Sequence, residues 1–264
     1  MTEAENTATQ RSVEYTSPPG ATETSIRYTQ ALAETAEELR ASIPEFQGLT
    51  YYGSTARGEA RAPGTRDASD QGSDVDVFVF FRPDPNSYIQ GGVHSDIPER
   101  YRTGISTKGE SKGSTIFESS IRYDYNLTVR EVAAHHGLPT HGDTEAVPIN
   151  EEIVADQVSR LLATAELVDA SQTPDCFPSR NLQGLFHVSA GNDNLVEYRR
   201  QVVVLLALSP HGETAWRALR GRVGYFEVGR DKEQYLPRID HRRVPETLAE
   251  AVMQYGAADS HRPS

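Results

Sequence analysis

The chain has 264 residues, a formal net charge of -12 and a pI of about 5.1. That length accommodates one large domain or two small ones around a well-buried core, and the acidity excludes a broad nucleic-acid-coating surface while leaving room for a local basic pocket. The only cysteine, Cys176, excludes an intramolecular disulfide and a thiolate zinc cluster.

The first 23 residues are rich in Thr, Ser, Glu and Pro and read as a disordered tail. They contain no apolar secretory stretch, and the longest apolar run, Val202 to Leu208, is too short to span a bilayer. The expectation is a soluble, cytoplasmic protein with no membrane partner. Leu32, Ala36, Leu39 and Ile43 recur at helical spacing, predicting a helix from Thr24 to Ser42 that Pro44 ends. Gln47 to Tyr52 reads as a short strand, Ser54 to Arg61 as the start of a helix, and Ala62 to Gly72 as a loop. The strongest strand signal is Asp74 to Phe81, β-branched and aromatic and closed by Pro83. Arg82 to Ser114 reads as a long loop, and Ile116 to Val129 as a second strand. Helices are predicted over Glu151 to Leu167, Leu195 to Leu208, Glu213 to Phe226 and Pro245 to Tyr255. Strands before residue 150 and helices after it predict an α+β fold. The expected organisation is a tail (1–23), an α+β domain (24–150), a helical domain (151–256) and a flexible end (257–264).

The segment with chemical content is Gly53-Ser54-Thr55-Ala56-Arg57-Gly58, followed by Ser73-Asp74-Val75-Asp76-Val77. Residues two apart in an extended chain share a face, so Asp74 and Asp76 project together, and like charges so close repel unless a cation lies between them. Two hard carboxylates suit Mg²⁺, which completes its shell with water and substrate phosphates. Gly53 permits close backbone approach, and the helix opening at Ser54 presents unpaired N–H groups and a partial positive charge that suit a phosphate. The bland alternative is a solvated pair of aspartates at a strand end.

In order and on these elements, GSTARGEA and SDVDVFVFF resemble the signature of the DNA polymerase β-type nucleotidyltransferases, over roughly residues 25–130. The likeness is to the small prokaryotic nucleotidyltransferase domains and to the archaeal CCA-adding enzymes. It implies a small mixed sheet with a C-terminal helical domain, bound Mg²⁺ (or Mn²⁺), a nucleoside triphosphate substrate and transfer of its nucleoside monophosphate to a hydroxyl. A spacer longer than the family's usual one, with Ala62 to Gln71 inserted, leaves the acceptor subgroup open. The resemblance also implies a third carboxylate beside Asp74 and Asp76. Asp124, in Ile121 to Leu127, is the first choice, with Glu145 next and Glu118 in reserve. Gly53, Ser54 and Arg57 would hold the nucleotide, although Arg57 reads equally well as a solvated helix residue.

Lys108 and Lys112, two of only three lysines, lie in one Gly/Ser loop. They would close over the phosphates or simply be solvated. His135, His136 and His141 with Asp143 raise the thought of zinc, but Gly137, Pro139 and Gly142 argue against fixed geometry, and the stretch reads better as a surface connection near the acceptor. Between Arg217 and Arg243, eight basic residues (Arg217, Arg220, Arg222, Arg230, Lys232, Arg238, Arg242, Arg243) face four acids (Glu227, Asp231, Glu233, Asp240). They read as a solvated face paired with the acidic surface, or as an RNA-facing patch. The acidity favours a small-molecule acceptor over tRNA or RNA. The contrasting class is a nucleotide-binding regulator without catalysis.

Overall fold

In the computed structural model, residues 18–82, 129–139, 142, 144–167, 180–191, 194–228 and 244–256 are described. The chain order is α1 (Glu23–Ser42), β1 (Phe46–Tyr52), α2 (Gly53–Ala56), β2 (Asp76–Phe81), α3 (129–135), β3 (Thr144–Pro148), α4 (Glu151–Leu167), α5 (Arg180–Leu185), β4 (Val188–Ser189), α6 (Leu195–Ala207), α7 (Gly212–Val228) and α8 (Leu248–Tyr255). Among the described residues the fold is mixed α+β around a four-stranded mixed sheet of order β3-β2-β1-β4. β1 pairs antiparallel with β2 and β4, while β2 pairs parallel with β3. Among the described residues no helix is long and apolar enough to cross a membrane.

β2 reads as an unbroken apolar run because both of its faces are covered. Val77, Val79 and Phe81 pack with Leu32, Ala36 and Leu39 of α1 and with Val129 and Val132 of α3. On the opposite face Phe78 and Phe80 join Tyr52 and Val147 under Val158, Leu161, Leu182, Leu206 and Trp216. The helices after residue 150 therefore share one core with the sheet. α5 comes closest: a Cβ on Gly184 would lie 2.9 Å from the Phe78 ring, and Thr50 Oγ1 donates to the Gly184 carbonyl at 2.7 Å. A side chain at position 184 would push α5 off the strands.

Several elements differ from expectation. β2 begins at Asp76, with Asp74 in the extended chain before it. The predicted strand from Ile116 to Val129 lies outside the described residues except for Val129, which is helical in α3. β3, α5 and β4 are additional elements. Residues 18–22, assigned to the tail by composition, form a turn whose Thr22 N–H donates to the Gly58 carbonyl and whose Thr22 side chain caps α1.

Candidate active site

The β1–β2 register ends on the pair Tyr52 and Asp76, so Gly53 leaves one strand beside the first residue of the next. Gly53 has φ +71°, and a Cβ there would stand 3.1 Å from Asp76 Oδ2. Glycine answers both demands, since it tolerates positive φ and leaves room for the carboxylate. Around it Ser73, Val75 and Val77 are buried while Asp74 is exposed and Asp76 half-buried. That alternation turns both aspartates to the side opposite the buried valine between them, the disposition that suits a hard divalent cation.

The helix start expected over Ser54 to Arg61 is the four-residue turn α2, which ends at Ala56. So short a helix carries no macrodipole of consequence, and any anion binding here rests on individual polar groups. Two such groups are unmatched: the hydroxyls of Ser54 and Thr55 are buried and have no hydrogen-bond partner among the described residues. A buried hydroxyl left unmatched costs about 1–3 kcal/mol, a debt that a bound polar group would relieve.

Ser54 lines an open cleft of about 680 Å³ together with Arg57, Arg61, Arg66, Asp70 and Asp74. Its wall is the loop after α2, which the sequence marked only as an insertion. Asp70 organises that loop. Its carboxylate accepts from Arg61 Nη1 at 2.8 Å and from the Arg66 and Gly72 N–H groups at 3.0 Å, and its carbonyl accepts from Gly64 N–H. The Gly72 N–H holds the Asp70 carboxyl below the usual carboxylate range. Partial desolvation opposes this, and the Arg66 N–H and the Arg61 and Arg66 charges reinforce it. A carboxyl whose pKa falls on folding stabilises the folded loop above the ordinary range and loses that contribution as pH drops through the lowered value. Amide exchange at Gly72 and Arg66 should therefore be slower than in an unstructured chain at neutral pH and lose that protection as pH falls through the lowered carboxyl value. Asp70→Ala should show the unprotected pattern already at neutral pH; protection that ignores both acid and substitution would remove Asp70 from this role.

The structure thus sets Gly53 against Asp76 and lines one cleft with Ser54, Arg57 and Asp74, each next in sequence or next but one to that pair or, for Arg57, four residues on. Arg57 lines the cleft, with its Nε on Glu59 at 3.0 Å. Asp124, Glu118, Lys108 and Lys112 lie outside the described residues. Glu145 stands on β3 opposite Phe78, on the sheet face shared by Asp76. Residues that sequence reasoning passed over are Arg61, Arg66 and Asp70, and also His187, which stacks on Tyr52 and Phe78 on that same face at 5.0 and 5.6 Å. The turn chemistry of Gly64, Asp67, Asp70 and Gly72 was the available signal for the loop; His187 carried none. In the Arg-rich segment, Arg217 pairs with Glu213 at 3.0 Å and Arg220 Nε donates to the Val244 carbonyl. The side chains of its other six basic residues lie outside the described set.

No protein-family model, curated protein or solved structure matches this chain. The chemistry rests on the residues themselves: two aspartates on one side of an extended segment, a glycine turn against one of them, unmatched hydroxyls in the turn, and an arginine-bearing cleft. Carboxylates for a cation beside guanidinium groups for an anion form a donor set suited to a metal-bound polyphosphate.

Proposed function

We propose that the protein is a Mg²⁺-dependent nucleotidyltransferase of the polymerase β type, moving a nucleoside monophosphate from a nucleoside triphosphate to a hydroxyl of a small acceptor. The observation that carries this reading is the approach of the Gly53 turn to the Asp76 carboxylate, within 3.1 Å of a would-be Cβ. It joins two motifs separated in sequence by a loop into one site. Mg²⁺ (or Mn²⁺) bound by Asp74 and Asp76 would neutralise phosphate oxygens as charge develops on them. The Ser54 turn and Arg57 orient the triphosphate, and Arg66 stands on the same cleft wall, where Arg61 is held by Asp70. In the transfer the acceptor oxygen bonds to the α-phosphorus as the bond to the β-phosphate bridging oxygen breaks, and pyrophosphate leaves. Asp124 is the first choice for the third carboxylate, the group that takes the hydroxyl proton, and Glu145, on the strand beside Asp76, is the next.

A cleft of about 680 Å³ has the size of a small-molecule site, and a chain of net charge -12 opposes a long polyanion. Both favour a small acceptor over tRNA. The test is incubation of the protein with each labelled nucleoside triphosphate, Mg²⁺ and either a metabolite extract or total RNA, followed by mass spectrometry. Pyrophosphate together with a metabolite heavier by one nucleotide residue is the expected product. Label appearing only in RNA would move the acceptor to the tRNA-directed reading, and tight tRNA binding that survives physiological salt would agree with it. Triphosphate binding without pyrophosphate release under any condition would favour a nucleotide-binding regulator.

A further inference from the structure

Away from the cleft, α3 ends on His135 and the turn after it begins with His136, and both meet the outer face of α1. His135 Nδ1 lies 3.3 Å from Glu38 Oε2, and His136 Nε2 lies 3.0 Å from that same oxygen. The other nitrogen of His136, Nδ1, faces Glu34 Oε2 at 3.3 Å. Residues almost a hundred positions apart thus place two imidazole nitrogens and one carboxylate oxygen within 4.8 Å of one another. We propose that Glu38, His135 and His136 form a binding site for a transition-metal dication of the Zn²⁺ class, with Glu34 as the carboxylate that orients His136.

The separations fit. Zinc bonds to nitrogen and oxygen of about 2.0–2.2 Å place neighbouring tetrahedral ligands roughly 3.3–3.5 Å apart. The observed 3.0 and 3.3 Å from Glu38 Oε2 need slight widening, and the two imidazole nitrogens, within 4.8 Å of one another, must settle at the same spacing to admit the ion. The tautomers fit as well. A neutral imidazole donates from one nitrogen only. His136 has carboxylates at both nitrogens, so neutral His136 satisfies both by donating Nδ1–H to Glu34 and giving its Nε2 lone pair to a metal beside Glu38. A carboxylate behind a ligating histidine is the usual orienting partner in such sites.

Two imidazoles with one carboxylate select Zn²⁺, Co²⁺, Ni²⁺ or Cu²⁺ over Mg²⁺, which prefers oxygen ligands. The site is therefore chemically distinct from the Asp74–Asp76 pair. Its position makes it a staple. α1 and α3 already share apolar contacts through Leu32, Leu39, Val129 and Val132, and the chain after His136 leads into β3. Three protein ligands leave further positions for water, consistent with the open surroundings of His135, whose side chain is 73 % exposed.

The experiment uses the full chain without a polyhistidine tag, stripped of metal and titrated with Zn²⁺ by calorimetry, with Co²⁺ absorption reporting coordination and thermal unfolding reporting stability. One Zn²⁺ per chain and a raised Tm are expected. Glu38→Gln, His136→Ala and His135→Ala should each weaken Zn²⁺ at least about tenfold and remove the Co²⁺ bands, and Glu34→Gln should weaken it about tenfold. His135 is exposed enough that its substitution leaves the metal-free fold intact, which keeps the result readable if the other variants unfold. An Asp74→Asn, Asp76→Asn double variant should bind this Zn²⁺ as the wild type does. Absence of Zn²⁺ binding, or binding that survives His135→Ala and Glu38→Gln while disappearing in the aspartate double variant, would overturn the proposal.

Discussion

Asp76→Asn is expected to lower nucleotidyl transfer by at least about 1,000-fold, about 4 kcal/mol of transition-state stabilisation, while Tm stays level or rises. Asp76 opens β2, abuts the Gly53 turn and shares its side of the chain with Asp74. An amide in its place keeps the shape and removes the charge that a hard cation needs. Removing one of two neighbouring negative charges also relieves their repulsion in the metal-free protein, so the stability readout moves opposite to the activity readout. Asp74→Asn should follow the same pattern, with a smaller change in Tm because Asp74 is exposed. The check is initial-rate pyrophosphate release with Mg²⁺, alongside thermal unfolding in EDTA. Full turnover in either single variant would remove that residue from the catalytic centre. A large drop in Tm would instead give it a structural role.

The second large effect is expected at Gly53. Its φ of +71° costs a residue bearing a Cβ about 1–2 kcal/mol. The new methyl would also lie 3.1 Å from Asp76 Oδ2, so either the turn or the carboxylate must shift. Gly53→Ala should therefore lose about 1–2 kcal/mol of stability and, because small displacements of a reacting group cost heavily, about 10- to 100-fold in turnover. Gly20→Ala separates the two contributions. Gly20 has φ +80° with nothing within 4 Å of its would-be Cβ, so it shares the backbone strain without the contact. Stability should fall in both variants and turnover only in Gly53→Ala. Equal turnover in the two would mean that the proximity of Gly53 to Asp76 has no part in catalysis.

These two residues were legible in the sequence because their requirements are local. A glycine before Ser54 and aspartates two apart signal a turn and a shared side without any tertiary information. The apolar run of β2 and the helical spacing of α1 were legible for the same reason. What the sequence concealed is set by pairing across distance. Thr144 to Pro148 has modest strand character of its own and becomes β3 because Phe78 and Phe80 of β2 take Glu145 and Val147 as parallel partners. Val188 and Ser189 are a strand only through Tyr51 and Thr50. Val129, Val132 and Ala133 have helical spacing, yet the β-branched run before them drew the strand prediction onward to Val129. The loop's turn residues were visible, but its place as a wall of the cleft depends on Arg61 meeting Asp70 and on both standing near Ser54. The histidines at the end of α3 read as a surface connection because the carboxylates that meet them, Glu34 and Glu38, come from a helix at the other end of the sheet-bearing half.

The measurement that bears most directly on the joined Gly53 and Asp74–Asp76 site is calorimetric binding of a non-hydrolysable α,β-methylene nucleoside triphosphate, with Mg²⁺ and with EDTA. The expected result is binding in Mg²⁺ that weakens at least about 100-fold, about 2.7 kcal/mol, in EDTA and equally in Asp76→Asn. An affinity that is the same with and without the metal, and unchanged by Asp76→Asn, would contradict a metal-nucleotide site at these residues.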